Sequence, residues 1–204
     1  MENERRIDRK TSMGMDEHRL SDILHASQIK ATDIYETPPQ IIWIDNSTIA
    51  TLGNFSASTG KAKSKKTFNV SALVAASLAG KQVLNYRAHL PEGKQRILYV
   101  DTEQSRFHCR SVLERILRLA GLPTTTDPEN LDFFCLREYS PSVRIEVIDY
   151  ALRQQKGYGL VIIDGIRDLM LDINNAGESV EGINRMMEWS SRYDLHIHCL
   201  VQLN

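Results

Sequence analysis

The stretch Gly60-Lys61-Ala62-Lys63-Ser64-Lys65-Lys66-Thr67 decides the fold. It has the spacing GxxxxGK[ST] of a phosphate-binding loop, with Lys65 standing at the second glycine position. It precedes a helix, Thr67–Gly80, in which Phe68, Val70, Leu73, Val74, Ala76, Leu78 and Ala79 leave almost no polar face. A helix apolar nearly all round is buried, which places this one at the centre of the fold. In that setting successive backbone N–H groups and the helix N-terminus face an anion, Lys66 reaches the terminal phosphates and Thr67 offers its hydroxyl to Mg²⁺. Lys61, Lys63, Lys65 and Lys66 concentrate positive charge in this one segment. The plainer alternative is a lysine-rich surface turn with no ligand. A shifted frame, Thr59-Gly60-Lys61-Ala62, is worse, because it puts Ala where Mg²⁺ needs a hydroxyl.

On either side of the loop, apolar runs of strand length alternate with helical stretches. Strands are predicted at Ile41–Ile44, Thr48–Phe55, Arg96–Asp101, Leu131–Leu136, Leu160–Asp164 and Ile197–Leu203, with Thr48–Phe55 leading into the loop. Further helices are predicted at Ser105–Ala120, Ser142–Lys156 and Ser179–Tyr193. The runs ILYV, LVIID and CLV are apolar on consecutive positions, as expected of strands covered on both faces. With βα alternation, this implies a mainly parallel sheet with helices on both sides. Residues 1–40 carry charges of both signs and end in Thr-Pro-Pro, which reads as a solvated arm with one short helix, Arg19–Ile29, and a stiff linker before a domain over 41–204.

Ligands gather at the carboxyl ends of parallel strands. Asp164, closing Leu160-Val-Ile-Ile-Asp164, therefore emerges beside the loop, where it can order the water around Mg²⁺; many such strands end in Asp merely to cap the next turn. Gly165 comes next, not Glu, so a general base must come from elsewhere. Glu103, just past the strand Arg96–Asp101, can orient and deprotonate a water that attacks a γ-phosphate. Its alternative role is that of a first-turn helix residue favoured by the macrodipole. Gln202, near the end of the last strand, can sense the γ-phosphate through its amide or simply be a polar strand terminus. His196 and His198 share a strand face without a third ligand nearby, which points to packing or solvent contact and away from a metal site.

Composition narrows the class. The 204 residues are 42% hydrophobic and 25% charged, which excludes collagen-like, disordered and disulfide-scaffold chains. Lys+Arg number 25 and Asp+Glu 26, so no bulk charge steers the protein to nucleic acid or anionic lipid, and a nucleic-acid contact needs a local patch. Cys109, Cys135 and Cys199 lie far apart without CxxC spacing, as small buried hydrophobes in a reducing compartment do. No run reaches the ~18 apolar residues of a membrane span and no leader-like segment opens the chain, so a cytoplasmic protein without a membrane partner is expected.

Taken together, GKAKSKKT, YVDTEQSRFHCRSVLERILRLAGL, VIIDGIRDL and HCLVQLN resemble, in order and spacing, the RecA-like P-loop ATPases, and within them RepA-type replicative helicases and ATPases of mobile elements of gut Bacteroidetes. The resemblance spans about Ile41 to Asn204. It implies a three-layer α/β/α fold in which the strand carrying Gln202 lies between the phosphate-loop strand and the Asp164 strand. It also implies that ATP and Mg²⁺ are held by Gly60, Lys61, Ala62, Lys63, Ser64, Lys65, Lys66 and Thr67, with Thr67 and Asp164 at the metal, Glu103 as base and Gln202 as γ-phosphate sensor. Relatives continue with further strands past this point and form hexamers. The sheet here is therefore expected to lack the C-terminal strands and to leave Thr48–Phe55 with one open edge, which favours self-association and slow turnover.

The activity implied is hydrolysis of ATP to ADP and phosphate, driving action on DNA in replication or mobilization of a mobile element. No Asn-Lys-x-Asp guanine signature is present, which favours ATP over GTP. Two rivals from other classes are a non-catalytic nucleotide-binding assembly or DNA-associated module, consistent with the altered loop, and a small-molecule kinase, which lacks an evident arginine-rich lid.

Overall fold

The computed structural model describes residues 17–61, 64–169 and 176–203, with side chains left aside at 176–181 and 203. The expectations for Ala62 and Lys63 thus lie outside the described residues. The chain divides into two units, 1–37 and 38–204. The first contains α1 (Glu17–Ser27).

The second unit opens with β1 (Gln40–Ile44) and β2 (Ser47–Thr51). Asp45 adopts a left-handed backbone, φ 51°, and turns the chain so that β2 folds back antiparallel on β1. Then come β3 (Phe55–Lys61), α2 (Lys66–Ala79), β4 (Tyr86–Ala88), β5 (Arg96–Asp101) and α3 (Arg106–Ala120). The chain continues through β6 (Leu131–Cys135), α4 (Pro141–Gln154), β7 (Tyr158–Asp164), a 3₁₀ turn over Ile166–Leu169, α5 (Ala176–Arg192) and β8 (His196–Leu203). Strand β4 pairs with the other side of β1 and completes a small antiparallel sheet, β2-β1-β4.

The main sheet is parallel, in the order β3-β8-β7-β5-β6. Alternate residues of its strands enter two separate cores. Ile97, Tyr99, Leu160, Ile162 and Leu200 pack with Leu73, Ala76, Val112 and Ile116 of α2 and α3. Leu98, Val100, Val161, Ile163 and Ile197 pack with Ile148, Leu152, Met186 and Trp189 of α4 and α5. Consecutive apolar residues are needed because both faces are covered, which is the three-layer α/β/α architecture of RecA-like P-loop proteins. Helix α2 is buried at every position from Val70 to Ser77, in keeping with its lack of a polar face.

One element departs from the sequence-based expectation. Thr48–Phe55 is not the strand that leads into the loop. The apolar run Thr48–Ala50 belongs to β2 in the small sheet, and Gly53, φ 73°, breaks the chain before β3 begins at Phe55. The strand that leads into the loop, Phe-Ser-Ala-Ser-Thr-Gly-Lys, is short of large apolar residues because it closes one end of the sheet. Part of its anchoring is polar: the Ser56 hydroxyl lies 2.8 Å from both His196 Nε2 and His198 Nδ1, and Ser58 Oγ lies 2.9 Å from His198 Nε2. The two histidines are therefore buried packing residues, and burial pushes both rings down to about 4. Ile41–Ile44 likewise joins β2 and β4 and takes no part in the main sheet. Among the described residues, β3 has β8 as its only strand partner.

Candidate nucleotide site

The parallel register decides which side chains meet. Gly60 pairs with Gln202, Leu200 with Asp164, and Asp164 with Asp101, so β3, β8, β7 and β5 end together at one edge of the sheet. Helix α2 begins at the same edge. Its N-cap, Lys65, adopts a left-handed backbone, φ 61° and ψ 24°, and no side chain caps the helix. The first-turn N–H groups of a helix have no intrahelical acceptor, so this end is built to meet an anion. The left-handed cap also explains why glycine is usual where Lys65 stands: a Cβ there costs ~1–2 kcal/mol. At Gly60 the loop is close instead: a Cβ would lie 2.7 Å from Ser64 Oγ, so the serine side chain would have to turn away.

Ser64, Lys65, Lys66, Thr67, Glu103, Asp164, Leu200 and Gln202 line one cavity of ≈ 290 Å³. Lys66 folds over it: Nζ donates to Gly60 O at 2.7 Å and to Lys61 O at 3.0 Å. Gly60 and Lys61 close β3, and their carbonyls hold the lysine where a phosphate would compete for it. The Thr67 hydroxyl reaches the Asp164 carboxyl, which also accepts from Tyr99 Oη at 3.0 Å. Asp164 is 4% exposed, and burial together with the charges of Asp101 and Glu103 pushes it up to about 7.

Glu103 does not belong to a helix. It sits in the turn between β5 and α3, which starts only at Arg106. The turn is fixed by Asp101, whose Oδ1 accepts the N–H groups of Glu103 at 3.0 Å and Gln104 at 2.8 Å, while Oδ2 accepts from Gln104 Nε2 at 2.8 Å. Partial burial and the neighbouring charges of Asp168 and Asp101 raise the Glu103 pKa, and Lys66 opposes them. A raised carboxyl pKa in a cleft is the property expected of a proton acceptor.

Asp101 and Gly165 shape the candidate site, although motif spacing does not pick them out. The Asp-x-Glu-Gln pattern at a strand end was available as an Asx-turn signal for Asp101. Gly165 has φ 100°, and a Cβ there would overlap the Thr102 hydroxyl and come within 2.6 Å of Glu103 Cγ. Thr102 ties the two strand ends together, donating to Gly165 O at 2.8 Å and lying 3.0 Å from Asp164 O. A second cavity, ≈ 540 Å³, shares Glu103 and Gln202 with the first and adds Arg137, Arg144, Arg167 and Asp168. Arg144 is buried and donates to the carbonyls of Leu136, Arg137 and Asp168, so its role is to knit the loops. Arg167 donates to Gln202 O at 2.9 Å and thereby holds the end of β8.

The donor set fits a divalent cation held largely by its ligand. Among the described residues, no group of three or more His, Cys, Asp or Glu side chains lies close enough to hold a metal ion alone. The fit rests instead on Thr67 and the buried Asp164 lining one cavity, where burial and the charges of Asp101 and Glu103 raise the Asp164 carboxyl to about 7. A cation coordinated by phosphates and water offsets those charges.

A RecA-like sheet, a phosphate loop ahead of a buried helix and an acidic strand end beside it define a P-loop nucleotide-binding ATPase. The AAA domain family model matches residues 20–204, and the chain belongs to that family. No curated protein matches it. Among the described residues, no helix is long and apolar enough to cross a membrane.

Proposed function

We propose that this protein is a Mg²⁺-dependent ATPase domain that hydrolyses ATP to ADP and phosphate and couples the cycle to work on DNA, in the manner of RepA-like helicases or mobile-element replication proteins. The observation that carries the hydrolytic reading is the single cavity lined by Lys66, Thr67, Glu103, Asp164 and Gln202.

In this reading the N-terminus of α2 and the backbone of the loop receive the β- and γ-phosphates. Lys66 leaves the Gly60 and Lys61 carbonyls and turns its ammonium to the phosphate oxygens. Thr67 and Asp164 hold Mg²⁺, which supplies charge neutralisation at the phosphates when bound. Glu103 orients a water for in-line attack and accepts its proton, which its raised pKa favours, and the Gln202 amide hydrogen-bonds the γ-phosphate. The protein does little covalent work; positioning and electrostatics do most of it. The DNA and mobile-element parts of the proposal rest on the resemblance of the four sequence blocks, as does assembly into a homo-oligomer.

The test is phosphate release from ATP with Mg²⁺, with and without single-stranded DNA. Turnover that DNA stimulates and that Lys66→Ala abolishes supports the proposal. Absence of ATP binding by the unaltered chain contradicts it, and unstimulated turnover removes the DNA part.

A further inference from the structure

Two of the three cysteines converge on one backbone oxygen. Cys109 sits in the first turn of α3, and Cys135 ends β6, opposite Asp101 in the sheet register. Both thiols donate to the Gln104 carbonyl, Cys109 Sγ at 3.7 Å and Cys135 Sγ at 3.3 Å. Gln104 belongs to the turn that carries Glu103, and Asp101 accepts both its backbone N–H and its side-chain amide at 2.8 Å. Asp101 thus fastens one side of this turn and the pair of thiols the other. Cys109 is 4% exposed and Cys135 is half-buried. Cys199 stands apart in β8, with its thiol on Ser56 O at 3.4 Å.

We propose that Cys109 and Cys135 form a redox modification site, a dithiol that a peroxide closes to an intramolecular disulfide, and that closure loosens the turn holding Glu103. The disulfide itself goes beyond the nucleotide reading; its effect on turnover rests on that reading. Burial, then the Asp101 charge and the Cys135 thiol, push the Cys109 thiol up, so Cys109 keeps its proton and attacks poorly. The more accessible Cys135 is the sulfur that meets a small oxidant. It gives up its proton and attacks one peroxide oxygen; the O–O bond breaks, the departing hydroxide takes a proton to become water, and Cys135 is left as the sulfenic acid. The Cys109 sulfur then attacks the Cys135 sulfur. The S–S bond forms, the S–O bond breaks, and the Cys109 proton leaves with the hydroxide as a second water. Two thiols are oxidised and one peroxide is reduced. Neither sulfur of the product carries a hydrogen, so the Gln104 carbonyl loses both S–H donors. In a reducing compartment such a bond is transient, and a thiol reductant reopens it.

The experiment treats the folded full chain with hydrogen peroxide, blocks the remaining thiols and maps tryptic fragments without reductant, alongside phosphate release from Mg²⁺-ATP. The unaltered chain, Cys109→Ser, Cys135→Ser and Cys135→Ala are compared. The expected result is a disulfide joining fragments 107–110 and 119–137, with Cys199 the one thiol left of three, and full reversal by dithiothreitol. Cys109→Ser should leave Cys135 as a sulfenic acid that dimedone captures, and both Cys135 variants should leave Cys109 unoxidised. Turnover should fall by roughly tenfold or more with the link, return on reduction, and resist peroxide in the Cys135 variants. Thiols that stay free in the folded chain, a link that forms only after denaturation, or a link through Cys199 or between two chains overturns the site. A link that leaves turnover unchanged overturns the coupling to Glu103. If the reduced chain does not hydrolyse ATP, the hydrolytic reading and that coupling fall together, and the fragment map alone decides the disulfide.

Discussion

Glu103 occupies the space that Gly165 leaves empty: a Cβ on Gly165 would stand 2.6 Å from Glu103 Cγ. The position after the acidic strand end, where many P-loop ATPases carry their own acid, is here the floor under an acid delivered by the neighbouring strand. The two positions are exclusive in space, which gives a physical reason for glycine at one and glutamate at the other.

Gly165→Ala should therefore disturb Glu103 without touching the phosphate loop. The added methyl meets Thr102 and Glu103, and φ 100° is unfavourable for any residue with a Cβ. ATP binding is expected to stay within a few-fold of the unaltered chain while turnover falls on the order of 10-fold to 100-fold, the range set by misplacing a general base. Parallel titration and phosphate-release assays measure this; turnover retained in full means that the carboxylate acts from another position.

Lys65→Gly removes a left-handed lysine from the cap of α2. Relief of the cap strain, ~1–2 kcal/mol, is partly offset by the greater freedom of glycine in the unfolded chain, ~0.4–1 kcal/mol. The net expectation is stabilisation of about 1 kcal/mol or less, read as a higher urea midpoint at unchanged slope. A lower midpoint means that the Lys65 side chain makes contacts worth more than its backbone costs.

The Asp164 carboxyl, pushed up to about 7, links folding and metal binding to pH. Its value in the unfolded chain is the ordinary 3.8. A raised folded pKa means that the native state holds the proton more tightly, so the stability involved is full below about pH 4 and is lost as pH rises through about 7. The nucleotide-free chain should thus lose stability between about pH 4 and 7 relative to Asp164→Asn, by thermal unfolding. Mg²⁺-ATP must displace the same proton, so its affinity should rise with pH up to about 7 more steeply in the unaltered chain than in Asp164→Asn. Equal pH slopes for the two proteins contradict the assignment.

The parts of the molecule built from two-sided apolar strands were legible in the sequence. Arg96–Asp101 and Leu160–Asp164 announce themselves because both faces are buried, and the loop motif is recognisable by its spacing. Strand β3 was hidden because it holds its place through Ser56 and Ser58, which hydrogen-bond His198, and carries few large apolar residues. The neighbouring run at Thr48–Ala50 looked more like a strand of the main sheet, yet its turn at Asp45 sends it to β1. Asp101 and Gly165 were hidden for a different reason. Their roles come from what adjacent strands bring beside them, 101 next to 164 in the sheet register and 165 under 103, and a linear motif does not record such neighbours.

If Glu103 performs the proton transfer in a site that binds ATP through Lys66 and Thr67, its substitution must separate binding from chemistry. Single-turnover measurement of phosphate release from Mg²⁺-ATP, on the unaltered chain and on Glu103→Gln, reads that separation. The expected result is slow conversion to ADP and phosphate by the unaltered chain, and a variant that binds ATP with similar affinity but releases phosphate at a rate lower by a factor on the order of 10² or more. Phosphate release at the same rate from both proteins would contradict it.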